Sequence, residues 1–163
     1  MMVSKENLFN FKFILLIVFL VIIDALSKMA ANNYLLYGQS SDTFLPIIDL
    51  LLIYNSGIAF GIFDKGGDLI SNLLLAITLI ITTYIVKMVL EENIIRNKIA
   101  LSFIAAGAIG NVIDRMNDGS VTDFLHLEIL NFSFFIFNFA DAFITFGAIL
   151  IIYFELFKKR FNE

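Results

Sequence analysis

The chain has 163 residues, 60% of them hydrophobic and 16% charged, with a net charge of -4 and a mean hydropathy of +0.89. Ordinary soluble domains are about 45–50% apolar, so a water-soluble globule is excluded and a single membrane-embedded domain over residues 1–163 is expected. Scattered basic residues point away from nucleic acid, the lack of cysteine removes disulfides and thiol chemistry, and the lone His126 falls short of the usual zinc ligand set, so neither metal nor cofactor is expected.

In chain order, Lys5 and Lys12 precede an apolar run from Phe13 to Ile23 that has the outline of a secretory signal. Asp24 and Lys28 stand where small residues would end such a signal, and further spans follow, so an uncleaved first span over about 11–29 is expected. Asp24 and Lys28 are related by i, i+4 and can pair across one turn. They suit either a charge-paired helix end or the support of a site.

From 30 to 68 the chain turns polar, then passes Pro46 into the short apolar stretch Ile47 to Tyr54, bounded by Asn55, Ser56 and Gly57. That pattern favours strands over a span and predicts a small, partly β platform outside the membrane. The second span is predicted over about 69–87 and the third over about 98–115. Ala106 and Gly110, four residues apart on the third, allow a neighbouring helix to approach closely. Asn117-Asp118-Gly119-Ser120 opens a loop that runs to Asn131. The fourth span is predicted over about 134–157, stopped by Lys158, Lys159 and Arg160. The fold class is therefore all-α with four transmembrane helices and one platform between the first two. Most basic residues lie on one side of these spans, which places both termini in the cytoplasm and Asp24, Lys28, Asn55, Asp114, Asp123 and Asp141 at the outer face.

Asn111, Asp114 and Arg115 share a helical face, as do Asn138 and Asp141, and Asp123 comes from the loop between them. Ionisable groups in a membrane setting are functional candidates by default. Ser56, Ser120 or Ser133 as a nucleophile would need Lys28 as base. Two aspartates that share a proton can instead activate water and polarise a carbonyl without a cofactor. If Arg115 neutralises Asp114, Asp123 and Asp141 remain for chemistry, yet by spacing any two of the three carboxylates could form the pair. Inward-facing Asn and Asp residues can also serve only to join helices.

The motifs D-A-L-S-K (Asp24 to Lys28), N-S-G-I-A-F (Asn55 to Phe60), G-A-I-G-N-V-I-D-R (Gly107 to Arg115), V-T-D-F (Val121 to Phe124) and F-N-F-A-D (Phe137 to Asp141) resemble, in order and spacing, those of bacterial lipoprotein signal peptidases, also called signal peptidase II. The resemblance implies an aspartic endopeptidase of the bacterial inner membrane that cuts prolipoproteins before a diacylglyceryl-modified cysteine. It implies Asp123 and Asp141 as the catalytic pair, with Asp24, Lys28, Asn55, Gly57, Asn111, Asp114, Arg115 and Asn138 lining or bracing the site. It further implies contact with membrane lipid, sensitivity to globomycin-type inhibitors and a monomeric enzyme. Ile58, Ala106 and Ala142 depart from the residues common in that family. A small transporter or assembly subunit using the same carboxylates is the alternative, although the inner ends of the spans offer no polar relay.

Overall fold

The computed structural model describes residues 5–56, 67–130 and 132–157. Gly57 and the other residues up to 66, where the sequence predicts turns, lie outside the described residues. In chain order the elements are α1 (Lys5–Tyr34), β1 (Ser40–Ser41), β2 (Ile48–Asn55), α2 (Gly67–Glu91), α3 (Ile95–Asp118), β3 (Val121–Ile129), β4 (Phe132–Phe137) and α4 (Phe139–Leu156). Among the described residues, four stretches are long and apolar enough to cross a membrane: Asn10–Tyr34, Ser71–Glu91, Ile95–Asp118 and Phe139–Leu156. Their outward faces carry large apolar side chains such as Phe19, Ile80 and Ile149. A bilayer solvates such a surface where water would not.

Helix α3 is the hub, in contact with α1, α2 and α4. Its small residues explain why. A Cβ on Gly107 would lie 2.2 Å from the Ala140 carbonyl oxygen of α4, and one on Gly110 would lie 2.5 Å from Asp24 Oδ2 of α1. Ala105 and Ala106 are fully buried beside Phe13, Ile17, Leu20, Val89 and Leu101 in the main apolar core. The close packing expected from Ala106 and Gly110 is thus present, and it brings the polar ends of three helices together.

The strands form one antiparallel sheet in the order β1-β2-β3-β4. Ala31, Leu52 and Phe124 make a second apolar cluster that fastens the sheet to α1. This arrangement departs from expectation in two ways. The platform does not come only from 30–68, because β3 and β4 lie between α3 and α4. Residues 121–129 were expected in a loop, yet Leu125, Leu127 and Ile129 alternate with His126 and Glu128, which is the period of a half-buried strand. The fourth span also starts later than 134, at Phe139. The run Phe132 to Phe137 is apolar enough to read as helix, and periodicity alone cannot separate a short apolar strand from the start of a span. Asn138, in extended conformation, marks the boundary by capping α4.

Candidate active site

The site grows from the cap of α4. Asn138 accepts a 2.9 Å hydrogen bond from Asp141 N–H through its side-chain oxygen, and Asp141 Oδ2 accepts from Asn138 N–H at 3.4 Å, closing a capping box. The Ala140 N–H, one residue earlier, donates to Asp24 Oδ1 at 2.8 Å. A carboxylate from α1 therefore caps the positive end of α4 alongside Asn138.

The amide nitrogen of Asn138 then crosses to the sheet, donating to Asp123 Oδ1 at 2.6 Å. Asn55, at the end of β2, donates to the other oxygen of Asp123 at 2.9 Å. Register puts it there, since Asn55 pairs with Val121 and Ile53 with Asp123 across the β2–β3 ladder. Asp141 in turn receives the Asn111 amide on Oδ1 at 2.8 Å. Asp123 and Asp141 thus come from a strand and a helix, and Asn138 bonds to both.

Beneath them sits a buried ion cluster. Lys28 Nζ lies 2.8 Å from Asp24 Oδ2 and 3.0 Å from Asp114 Oδ2, and donates to Asn111 Oδ1 at 3.2 Å. That contact turns the Asn111 oxygen toward lysine and leaves its NH2 for Asp141. Asp114 also accepts from Thr122 N–H at 3.1 Å, which ties the end of α3 to the start of β3. The pairing expected between Asp114 and Arg115 is replaced by Asp114 with Lys28. Adjacent residues on a helix point in different directions, and Arg115 instead donates to the Asn111 carbonyl at 3.3 Å while feeling the charges of Asp141, Asp123 and Asp114.

Burial pushes the Asp123 carboxyl up to about 6; the charge of Asp141 adds to this, while the amides of Asn55 and Asn138 work against it. Lys28 lies between Asp24 and Asp114, while the Arg115 charge acts on Asp141 and Asp123 as well as on Asp114. Apolar grooves flank the pair. One of about 350 Å³ has Asp141 in a wall of Phe135, Phe137, Ala142, Phe146 and Ile149. Another of about 290 Å³ runs between α2, α3 and α4 past Asn111 and Arg115.

Of the residues singled out from sequence, Asp24, Lys28, Asn55, Asn111, Asp114, Asp123, Asn138 and Asp141 join one hydrogen-bonded network, with Arg115 at its edge. Ser133 does not join it and lies 2.7 Å from His126 Nε2, while Lys28 is held between the carboxylates of Asp24 and Asp114 rather than set beside Ser133 as a base. Sequence reasoning missed the Ala140 and Thr122 N–H donors, for which side-chain identity carries no signal.

A family model described as signal peptidase (SPase) II matches residues 16–157. The chain belongs to the signal peptidase II family. It is 41% identical to the lipoprotein signal peptidase of Pelagibacter ubique, over 98% of each chain, and 35% identical to that of Rickettsia typhi, over 91% of this chain and 76% of the relative. A bacterial membrane enzyme solved by the in meso method at 2.3 Å resolution superposes with a TM-score of 0.77 at 33% identity, over 93% of this chain and 91% of that one. As a signal peptidase II the chain is a multi-pass bacterial membrane hydrolase, and the transporter alternative falls away.

Proposed function

We propose that this signal peptidase II removes the signal peptide from lipoprotein precursors by an aspartic mechanism, with Asp123 and Asp141 as the catalytic pair. The observation that carries this reading is the convergence of the two carboxylates on Asn138, each also held by a further amide, Asn55 for Asp123 and Asn111 for Asp141. Two close carboxylates do not both ionise readily. One, ionised, takes a proton from water as that water attacks the scissile carbonyl; the other, protonated, donates to the carbonyl oxygen. The tetrahedral intermediate collapses as a proton passes to the leaving amine, and the pair is restored.

Asp24, Lys28, Asn111, Asp114, Arg115 and Asn138 orient the pair and balance its charge, and Gly57 belongs to the segment that meets the substrate. The apolar signal sequence lies in a groove beside Asp141, and the bond cut is the one before the diacylglyceryl-modified cysteine. The lipid chains stay in the bilayer and set register, since each buried methylene contributes about 0.8 kcal/mol. The basic-residue bias supports cytoplasmic termini and a site at the outer face. Globomycin-type peptides compete for the same site, and the working unit is a monomer.

The test is cleavage of a diacylglyceryl-modified precursor by purified protein. Asp123→Asn and Asp141→Asn should each abolish turnover while the protein still unfolds cooperatively. Full turnover in either folded variant excludes the mechanism, and equal cutting of the unlipidated precursor excludes the lipid's role in register.

A further inference from the structure

The face of the sheet opposite Asp123 carries a group of side chains that peptide cleavage does not use. Side chains alternate along a strand, so His126 and Glu128 project from β3 on the other side from Asp123. Asp49 on β2 is the direct partner of His126 in the ladder, which sets all three on one face. One ligand atom from each of Asp49, His126 and Glu128 falls within 4.8 Å of the others.

The imidazole itself points to a ligand. His126 is 5% exposed. Its Nε2 lies 2.7 Å from Ser133 Oγ, whereas its Nδ1 is buried with no hydrogen-bond partner among the described residues and stands 3.8 Å from Glu128 Oε2. A buried ring nitrogen without a partner is unfavourable. One ring nitrogen held by a neighbour, with the other left open, is the way metal-binding histidines are oriented. Asp49 is itself positioned, accepting from Thr43 N–H on Oδ1 at 3.3 Å.

We propose that Asp49, His126 and Glu128 bind a divalent transition-metal ion of the zinc class. The lone histidine falls short of the usual zinc set by itself, but strand pairing adds two carboxylates; imidazole nitrogen and carboxylate oxygen are both ligand types that zinc accepts, and three protein ligands leave a fourth position for water. The two carboxylates supply the charge that a dication needs, and torsion of their side chains draws the three atoms in to the roughly 2.0–2.2 Å that zinc requires. The ion clips β2 to β3. These strands also carry Asn55 and Asp123 toward their other end, so the clip stiffens the ladder that sets their hydrogen bond while standing apart from the scissile bond.

The experiment uses full-length protein in detergent, stripped with a chelator and titrated with zinc chloride by calorimetry, with thermal unfolding measured in parallel. Wild type should bind one equivalent and unfold at a higher temperature with zinc. Asp49→Asn, His126→Gln and Glu128→Gln should each weaken binding by about tenfold or more, the scale on which metal sites respond to lost support, and should lose the thermal shift. If His126→Gln fails to fold, the two half-buried carboxylate variants decide the matter. The double variant Asp123→Asn, Asp141→Asn should bind as wild type does. Absence of saturable binding, binding unchanged in the folded ligand variants, or binding lost in that double variant would each overturn the proposal.

Discussion

Asn138 and Asp123 share a 2.6 Å hydrogen bond that joins the first residue of one element's cap to a carboxylate on a strand. The same asparagine caps α4 through Asp141. A residue that would be a routine helix cap elsewhere therefore sets the spacing of two carboxylates. Replacing Asn138 by Ala should remove the cap, costing about 1 kcal/mol, and should depress cleavage by far more than that loss of stability explains. Denaturant unfolding in detergent and turnover on the same samples separate the two effects. Cleavage that falls only in proportion to folded protein would make Asn138 a cap and nothing more.

The raised Asp123 carboxyl, with its value of about 6, predicts the pH dependence. If Asp123 supplies the shared proton, kcat/KM falls as pH rises through the pair's apparent pKa near that value. The Asn55 amide favours the ionised form, so its removal should raise the pKa. In Asn55→Ala the falling limb should therefore move to higher pH. A shift to lower pH, or none, would contradict this assignment of the proton.

Lys28 stands between two carboxylates with almost no access to solvent. Lys28→Met leaves Asp24 and Asp114 buried with like charge and no cation between them, and breaking a buried ion pair costs about 3–5 kcal/mol. The single variant should be much less stable than wild type. Adding Asp24→Asn should recover part of the loss, because it removes one of the stranded charges. A second substitution that only adds to the damage would show that the lysine stabilises the fold by some route other than its charge.

The approach of α3 to α4 leaves no room for a methyl group at Gly107, where the obstacle is the Ala140 backbone oxygen. Backbone cannot step aside as a side chain can. Gly107→Ala should cost about 1–3 kcal/mol through overpacking and should displace the capped end of α4, so that cleavage falls as well. Thermal unfolding and turnover together check this; a variant as stable and active as wild type would mean the helices separate freely.

Composition and hydropathy alone determine that this is a four-span membrane protein, because runs of that length and apolarity have no other solvent. Helical spacing places Asn111 with Asp114, and Asn138 with Asp141, on shared faces, and the ordered motifs from Asp24 to Asp141 carry the family. Sequence reasoning stopped where local signal did. Phe132 to Phe137 is as apolar as a span, and only pairing with β3 makes it a strand. Tertiary structure alone decided that Asp114 faces Lys28 rather than Arg115 and that Asp24 caps a helix 116 residues away. It alone gathered Asp49, His126 and Glu128 on one face. Each of these depends on groups distant in sequence or on backbone N–H donors, which no residue type announces.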